Sequence, residues 1–413
     1  MKALVYHISP AGWILCRAAM LLAKSACCGP LSGLRLVDQP IPDLPGPDWV
    51  RLRTRLGGIC GTDLALITLS QHPATILQRF ARFPAALGHE NVADIDDVGA
   101  NVAGWTRGQR VCVEPALGCP AAGAAPPCPQ CAAGRTSLCQ RTGDPRLPPR
   151  ALVGLNPLTG GSWAEYFVAH VSQLHAVPDA VPDEHAVLTD PIASSAHAVL
   201  RRPPRPGETV LINGAGIIAL GITAALRALG HDNPVTVLAR HDFQARIASR
   251  LGATHILPAP RKARPAERYD LVARHVGGRR IPARFGNQAL IGGFDLVYDC
   301  TGNGAGMTDA IKWTRSRGSL VLVGTSGITL VDTTPIWFDE LEIIGANGRQ
   351  IETVAEKPVH SYRLVLDWMA AGTLDLSALP VATYRLADYR RAFGHLLRRG
   401  RHPIVKAAFD HRP

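Results

Sequence analysis

"GETVLINGAGIIALGITAALRALGH", residues 207–231, is the stretch whose reading decides the fold. Val210, Leu211 and Ile212 form a short apolar run of the kind that makes a buried strand, a glycine turn follows, and an apolar helical stretch continues from it. Gly214, Gly216 and Ala219 match the dinucleotide fingerprint in its alanine-ended form. Gly214 permits the turn, Gly216 lets a pyrophosphate approach the backbone, and Ala219 keeps helix and strand close. The first helical turn, with Ile217 and Ile218, offers free N–H groups and the positive end of the helix dipole to a phosphate. One helix later "VTVLA" (235–239) supplies the next strand, as a right-handed crossover requires. "DLVYDCTG" (295–302) and "SLVLVGT" (319–325) continue the alternation. Their tips, with Thr301 and Gly324, are expected to line the nicotinamide side of a doubly wound parallel sheet.

The end of the second strand bears on the choice of cofactor. An acidic residue that would bind both ribose hydroxyls of NAD belongs about twenty residues past the fingerprint, and Ala239 stands there, followed by Arg240 and His241. No acid repels a 2′-phosphate, and a guanidinium is placed to bind one. The sequence predicts NADP over NAD. Asp242 reads as the N-cap of the next helix rather than as a ribose ligand.

Composition sets the frame. The 413 residues are 46% apolar and 19% charged, which is ordinary for a globular protein and long for a single core, so two domains are expected. The net charge of +11 comes from arginines scattered along the chain, not from one basic run, and argues against a nucleic-acid partner. No eighteen-residue apolar stretch exists, so no segment is expected to span a membrane, and no membrane partner is expected. "WILCRAAMLLAKSACC" (13–28) is broken by Arg17 and Lys24 and preceded by strand-like "KALVYHI". It reads as an internal amphipathic insertion, not a signal peptide, which makes a cytoplasmic location the expectation. In that compartment clustered thiols favour metal over disulfides.

Four of the ten cysteines fall within "GCPAAGAAPPCPQCAAGRTSLC" (118–139). Cys119, Cys128, Cys131 and Cys139 have the Cys-x-x-Cys turn and the number of thiolates that close a tetrahedral zinc site. Such a zinc has no open position and acts as a staple. The residues between them are mostly Gly, Ala and Pro, so the lobe has little apolar surface to bury and metal supplies the missing stability. Further upstream, "GGICGTDLAL" (57–66) and "FPAALGHENVADIDDVG" (83–99) contribute Cys60 and His89, soft and borderline ligands of a catalytic zinc, with Glu90 beside the histidine.

With "GGSWAEYFVAH" (160–170), "LTDPIASSAHAVLR" (188–201) and the tail "LADYRRAF" (386–393), these motifs give a chain that resembles the zinc-containing medium-chain alcohol dehydrogenase family over nearly its whole length. The resemblance implies a catalytic zinc held by Cys60, His89 and a third ligand. Asp190 occupies the position where polyol and sugar dehydrogenases of the family carry glutamate, and Glu90 is the competing candidate. Three ligands leave one coordination site open, where an alcohol hydroxyl loses its proton near neutral pH. Asp63 is expected to orient His89. Thr62 is expected to pass the alcohol proton outward, and Ala65 stands where many relatives have the histidine that carries it on. The first cysteine interval, eight residues, is longer than the family's usual two.

The resemblance further implies a GroES-like, mainly β catalytic domain over 1–186 and 350–413 carrying the zinc lobe at about 118–140. A Rossmann cofactor domain covers 187–349, with the active site in the cleft between the two. Segments 8–33, 70–84 and 278–293 look inserted, and 70–84, between two zinc ligands, is expected to shape the substrate pocket. The reaction expected is hydride transfer between a secondary alcohol, polyol or sugar hydroxyl, or the matching carbonyl, and NADP(H), with NAD the lesser cofactor. The expected partners are a small-molecule substrate and, as in relatives, further copies in a homodimer or homotetramer. The other readings are a zinc-free quinone or enoyl reductase of the same superfamily and a nonenzymatic nicotinamide-binding redox sensor.

Overall fold

A computed structural model describes residues 1–72, 74–76, 81–144, 152–260, 262–324 and 327–413. The 70–84 segment therefore lies partly outside the described residues, at 73 and 77–80, as does Thr325 at the end of "SLVLVGT". The chain forms two compact units: Met1–Asp190 with Arg349–Ala370 and Pro380–Pro413, and Pro191–Gly348 with Ala371–Leu379.

The second unit is built on six parallel strands in the spatial order His255–Pro258, Val235–Ala239, Val210–Asn213, Phe294–Asp299, Thr314–Leu322 and Glu342–Gly345. Val210–Asn213 and Val235–Ala239 are buried at every position. Their β-branched and leucine side chains are what a sheet covered on both faces selects. From Val210–Asn213 the chain steps outward through two strands and then crosses back to Phe294–Asp299. The order reverses beside Val210–Asn213, and that is where open sheets of this kind leave a crevice at their carboxyl ends. Segment 278–293 forms the antiparallel hairpin Arg279–Pro282 with Gln288–Ile291.

In the first unit one long strand, Trp49–Ile59, is the spine. It pairs antiparallel with Asn91–Val98, Tyr166–His170 and Lys406–Asp410. Val50 and Leu52 are buried in the cluster that holds Val113 and Phe167, and Ile59 in the cluster of Trp163, whose indole donates to the Gly58 carbonyl at 2.9 Å and packs on Phe393 and Phe409. The register is specific: Gly57 faces Asn91 and Ile59 faces Ala407. Consequently Cys60, one residue past the spine, comes beside His89 and Glu90, which precede Asn91, and beside Lys406, which opens its strand. Strands Lys2–Tyr6 and Leu34–Asp38 pair antiparallel, with the helix Pro10–Leu22 and a short turn at Lys24–Cys28 inserted between them. Ser9 caps that helix by accepting from the Gly12 amide at 3.1 Å, and Pro10 presets its first turn. Among the described residues no helix is long and apolar enough to cross a membrane.

Gly88 immediately precedes the histidine, at φ +94°, and a Cβ there would lie 2.3 Å from the Trp163 ring and 2.9 Å from its amide nitrogen. Both the left-handed backbone and the contact demand glycine. Gly88→Ala is expected to destabilise the protein by roughly 3 kcal/mol, read as a fall in the midpoint of urea unfolding. An unchanged midpoint would contradict this packing.

Candidate metal centre and cofactor site

Cys60, His89 and Glu90 offer one ligand atom each within 4.8 Å of one another. His89 and Glu90 are buried and Cys60 half-buried. Asp63, in the helix Gly61–Ile67, accepts from the Cys60 amide at 2.9 Å through Oδ2 and presents Oδ1 to His89 Nδ1 at 3.5 Å. That second distance is an ion-pair separation, not a hydrogen bond, and among the described residues neither buried atom has a hydrogen-bond partner. Burial opposes a charge on His89, yet Asp63 and Cys60 outweigh it and hold the imidazole well above its usual range. A set of buried anionic and imidazole donors that draws in a proton fits a divalent cation, which replaces the proton on binding. The Thr62 hydroxyl lies 3.8 Å from the Cys60 sulfur.

Asp190 stands apart from this set. Its Oδ1 accepts from Arg349 Nε and from the Tyr362 hydroxyl, each at 2.7 Å. Burial opposes its charge, but Arg349, His89 and Tyr362 hold its carboxyl below the ordinary range. Among the described residues the structure therefore groups Glu90, rather than Asp190, with Cys60 and His89. Glu90 in turn pairs with Lys406 Nζ, both side chains being 1% exposed. Burial pushes the Glu90 carboxyl upward against the pull of Lys406. Lys406, Arg349 and Tyr362 escaped the sequence reading. A signal existed for the first: Lys406 is the one charged residue in "PIVKAAF" (403–409), and a lone cation in an apolar strand has to find an anion.

The sulfurs of Cys119, Cys128, Cys131 and Cys139 also lie within 4.8 Å of one another. Cys119 and Cys139 are 3.7 Å apart, far from a disulfide and close to the roughly 3.8 Å separating two thiolates on one tetrahedral zinc. All ten cysteines are free. The Cys119 amide donates to Cys131 sulfur and the Cys128 amide to Cys119 sulfur, both at 3.4 Å, contacts that favour thiolates. Against its desolvation, backbone amides of Cys131 and Gln140 help to bring the Cys128 thiol down to about 6. The lobe holds only single-turn helices, Pro120–Ala122, Pro129–Ala132 and Thr136–Leu138, and its small cluster consists of the cysteines and Ala124. The longer first interval is accommodated by the Pro120–Ala122 turn, which Gly123 ends.

In the second unit, Gly214 has φ +116° and Gly216 caps the helix Ile217–Ala228. Among the described residues a Cβ on Gly216 would meet nothing within 4 Å, which leaves room over the first turn, at Ile217 and Ile218, where a phosphate would approach. Ala219 is fully buried. Gly324 donates to the Asp299 carbonyl at 2.8 Å and Thr301 donates its hydroxyl to Asp299 Oδ1 at 2.8 Å, which gathers both at the carboxyl end of the sheet. Arg240 is exposed just past Val235–Ala239, and His241, not Asp242, is the N-cap of Asp242–Arg250. Asp242 is the first helical residue, where its charge suits the helix dipole, so the expected cap moves by one position.

The chain matches the alcohol dehydrogenase GroES-like domain over residues 46–179 and the zinc-binding dehydrogenase domain over residues 218–370. It is 28% identical to L-threonine 3-dehydrogenase of Anaeromyxobacter dehalogenans strain 2CP-C over 365 residues, covering 88% of this chain and 92% of the relative. In fold it is similar to 2R,3R-butanediol dehydrogenase from Bacillus subtilis, with a TM-score of 0.71 at 22% identity, covering 100% and 99% of the two chains. It is similarly close to a short chain alcohol dehydrogenase from Escherichia coli CFT073 complexed with NADH, with a TM-score of 0.72 at 22% identity and 99% of each chain covered.

Removing one member of a buried ion pair leaves the other charge uncompensated. Lys406→Met is expected to cost about 3 to 5 kcal/mol in urea unfolding, and Lys406→Met with Glu90→Gln to recover much of it. Equal losses in the single and double variants would contradict the pairing.

Proposed function

Because the chain belongs to the zinc-containing medium-chain dehydrogenase/reductase family, we propose that it oxidises a secondary alcohol, polyol or sugar hydroxyl, or reduces the matching carbonyl, with NADP(H). At the coarser level it is a zinc-dependent, NAD(P)-dependent alcohol dehydrogenase acting on CH–OH donors. The observation that carries the reading is the Cys60, His89 and Glu90 cluster at the end of the spine strand, distinct from the four-cysteine lobe. In this reading Cys60, His89 and Glu90 hold the catalytic zinc, Asp190 is kept from it by Arg349 and Tyr362, and the four-cysteine lobe holds the structural zinc. On the same reading the catalytic domain covers 1–186 and 350–413 and the cofactor domain 187–349, bounds from which the compact units depart chiefly at Ala371–Leu379, which groups with Pro191–Gly348.

Bound at these sites, zinc supplies the positive charge that lowers the pKa of an alcohol hydroxyl, and the nicotinamide ring supplies the acceptor for two electrons. The chain's own residues do the rest. The Thr62 hydroxyl, 3.8 Å from the Cys60 sulfur, takes up the alcohol proton and hands it outward. Ala65 cannot carry it further, so solvent or a cofactor hydroxyl completes the transfer. Asp63 fixes the Cys60 backbone through its amide and presents a carboxylate oxygen to His89, which sets the aim of both ligands. Gly214, Gly216 and the first turn at Ile217 and Ile218 receive the pyrophosphate, and Thr301 and Gly324 lie on the nicotinamide side. The absence of an acid at Ala239 and the exposed Arg240 support NADP.

Two measurements test this. In a screen of alcohols and polyols, kcat/KM is expected to be higher with NADP than with NAD, and Arg240→Ala to raise the KM for NADP by about tenfold to a hundredfold while leaving that for NAD unchanged. A preference for NAD would overturn the assignment of Arg240. Cys60→Ser is expected to lose one of two zincs per chain and at least a hundredfold in turnover, whereas full turnover with one zinc would overturn the dehydrogenase mechanism.

A further inference from the structure

We propose that the inserted helix Pro10–Leu22 docks the protein on an anionic lipid surface. One face of this helix packs inward: Cys16 is fully buried and Met20 packs against the core cluster that contains Cys27, Cys28 and Ile67. Among the described residues the opposite face is apolar and uncovered. Ile14, Leu15, Ala18, Leu21 and Leu22 fall within an arc of about 120° at 100° per residue. Leu21 is 87% and Leu22 93% exposed, with Ile14 at 63% and Leu15 at 55%. Large aliphatic side chains so exposed and so contiguous mark a surface that is covered by something.

Charge and size identify what covers it. The helix and the turn that follows it, residues 10–28, contain no aspartate or glutamate and carry two cations, Arg17 and Lys24, whereas Lys2 on the neighbouring strand is paired with Asp38 at 3.4 Å. Lys24 is exposed directly after the apolar face. The Arg17 guanidinium is steadied 5.4 Å over the Trp13 ring, and Arg390, from the helix Tyr389–Leu396, donates to the Cys28 carbonyl at 3.1 Å. A second copy seated on this face would bring like charges together, which disfavours an isologous contact. The face is also small. A thirteen-residue helix is about 20 Å long and presents roughly 200 Å² along one side, against about 800 Å² per partner in a stable dimer. A short helix with an aliphatic face and cationic flanks suits the plane of an anionic bilayer, where apolar insertion and attraction to the headgroups act together. The helix is too short to span, and the expected absence of a membrane partner rested on the lack of a spanning segment alone, which does not apply to a helix lying on the surface.

The test is flotation of the full-length protein with vesicles of phosphatidylcholine alone and with vesicles containing roughly one-third phosphatidylglycerol, alongside the solution mass by light scattering. Binding is expected to the anionic vesicles only and to weaken with added salt. Leu21→Asp with Leu22→Asp is expected to reduce it at least tenfold and Lys24→Glu to reduce it severalfold, with alcohol turnover and solution mass unchanged in both variants. Turnover reports that each variant is folded; should the double variant fail that check, Lys24→Glu carries the test alone. The proposal is overturned by absence of binding to anionic vesicles, by binding that both variants retain, or by a double variant whose mass falls, which would make the face a subunit contact.

Discussion

The antiparallel register of Trp49–Ile59 is the constraint from which the site follows. Because Gly57 faces Asn91 and Ile59 faces Ala407, three chain positions far apart in sequence meet at the ends of three neighbouring strands of one sheet. Cys60 leaves the spine there, His89 and Glu90 enter the neighbouring strand, and Lys406 opens the strand on the other side. A slip of one residue would turn every side chain on the spine to the opposite face and scatter the donors. The buried core around Trp163 resists that slip, so ordinary packing at Trp163, Phe393 and Phe409 fixes the geometry on which the chemistry rests.

The two candidate metal sites answer different problems. In the four-cysteine lobe the chain has almost nothing apolar to bury, and four thiols within one short loop are gathered where coordination bonds to a metal would replace a core. At the Cys60 site His89, Glu90 and Asp63 are buried, and the difficulty is charge. Glu90, Asp63 and Asp190 are all buried there, each 6% exposed or less. Lys406 and Arg349 offset two of them, Lys406 with Glu90 and Arg349 with Asp190. Asp63 has its orphaned oxygen facing His89. The carboxylates are thus tied to cations of the protein to different degrees, and a bound cation enters a site whose charge is already partly balanced.

Much of this was legible in the residues and some was not. The glycine fingerprint, the apolar strands and the cysteine spacing are local signals, and local signals predict local structure: the parallel sheet and the clustered thiols are both present. Which carboxylate groups with Cys60 and His89 was not readable, because Arg349 and Tyr362 engage Asp190 and both lie more than 150 residues from it in sequence. Lys406 is similar, being 316 residues from Glu90. The apolar face of Pro10–Leu22 was visible only as amphipathicity. A periodic pattern shows that a helix has two faces and cannot show that the more aliphatic one is left outside.

X-ray absorption at the zinc edge tests the central claim most directly, since it counts the sulfurs around the metal without reference to turnover. If Cys60 belongs to a second site distinct from the thiol lobe, five sulfurs are shared by two zincs and the average is about 2.5 sulfurs per zinc, with nitrogen and oxygen making up the rest. A protein that binds a single zinc with about four sulfurs would contradict the account, because the cluster at the end of the spine strand would then hold no metal.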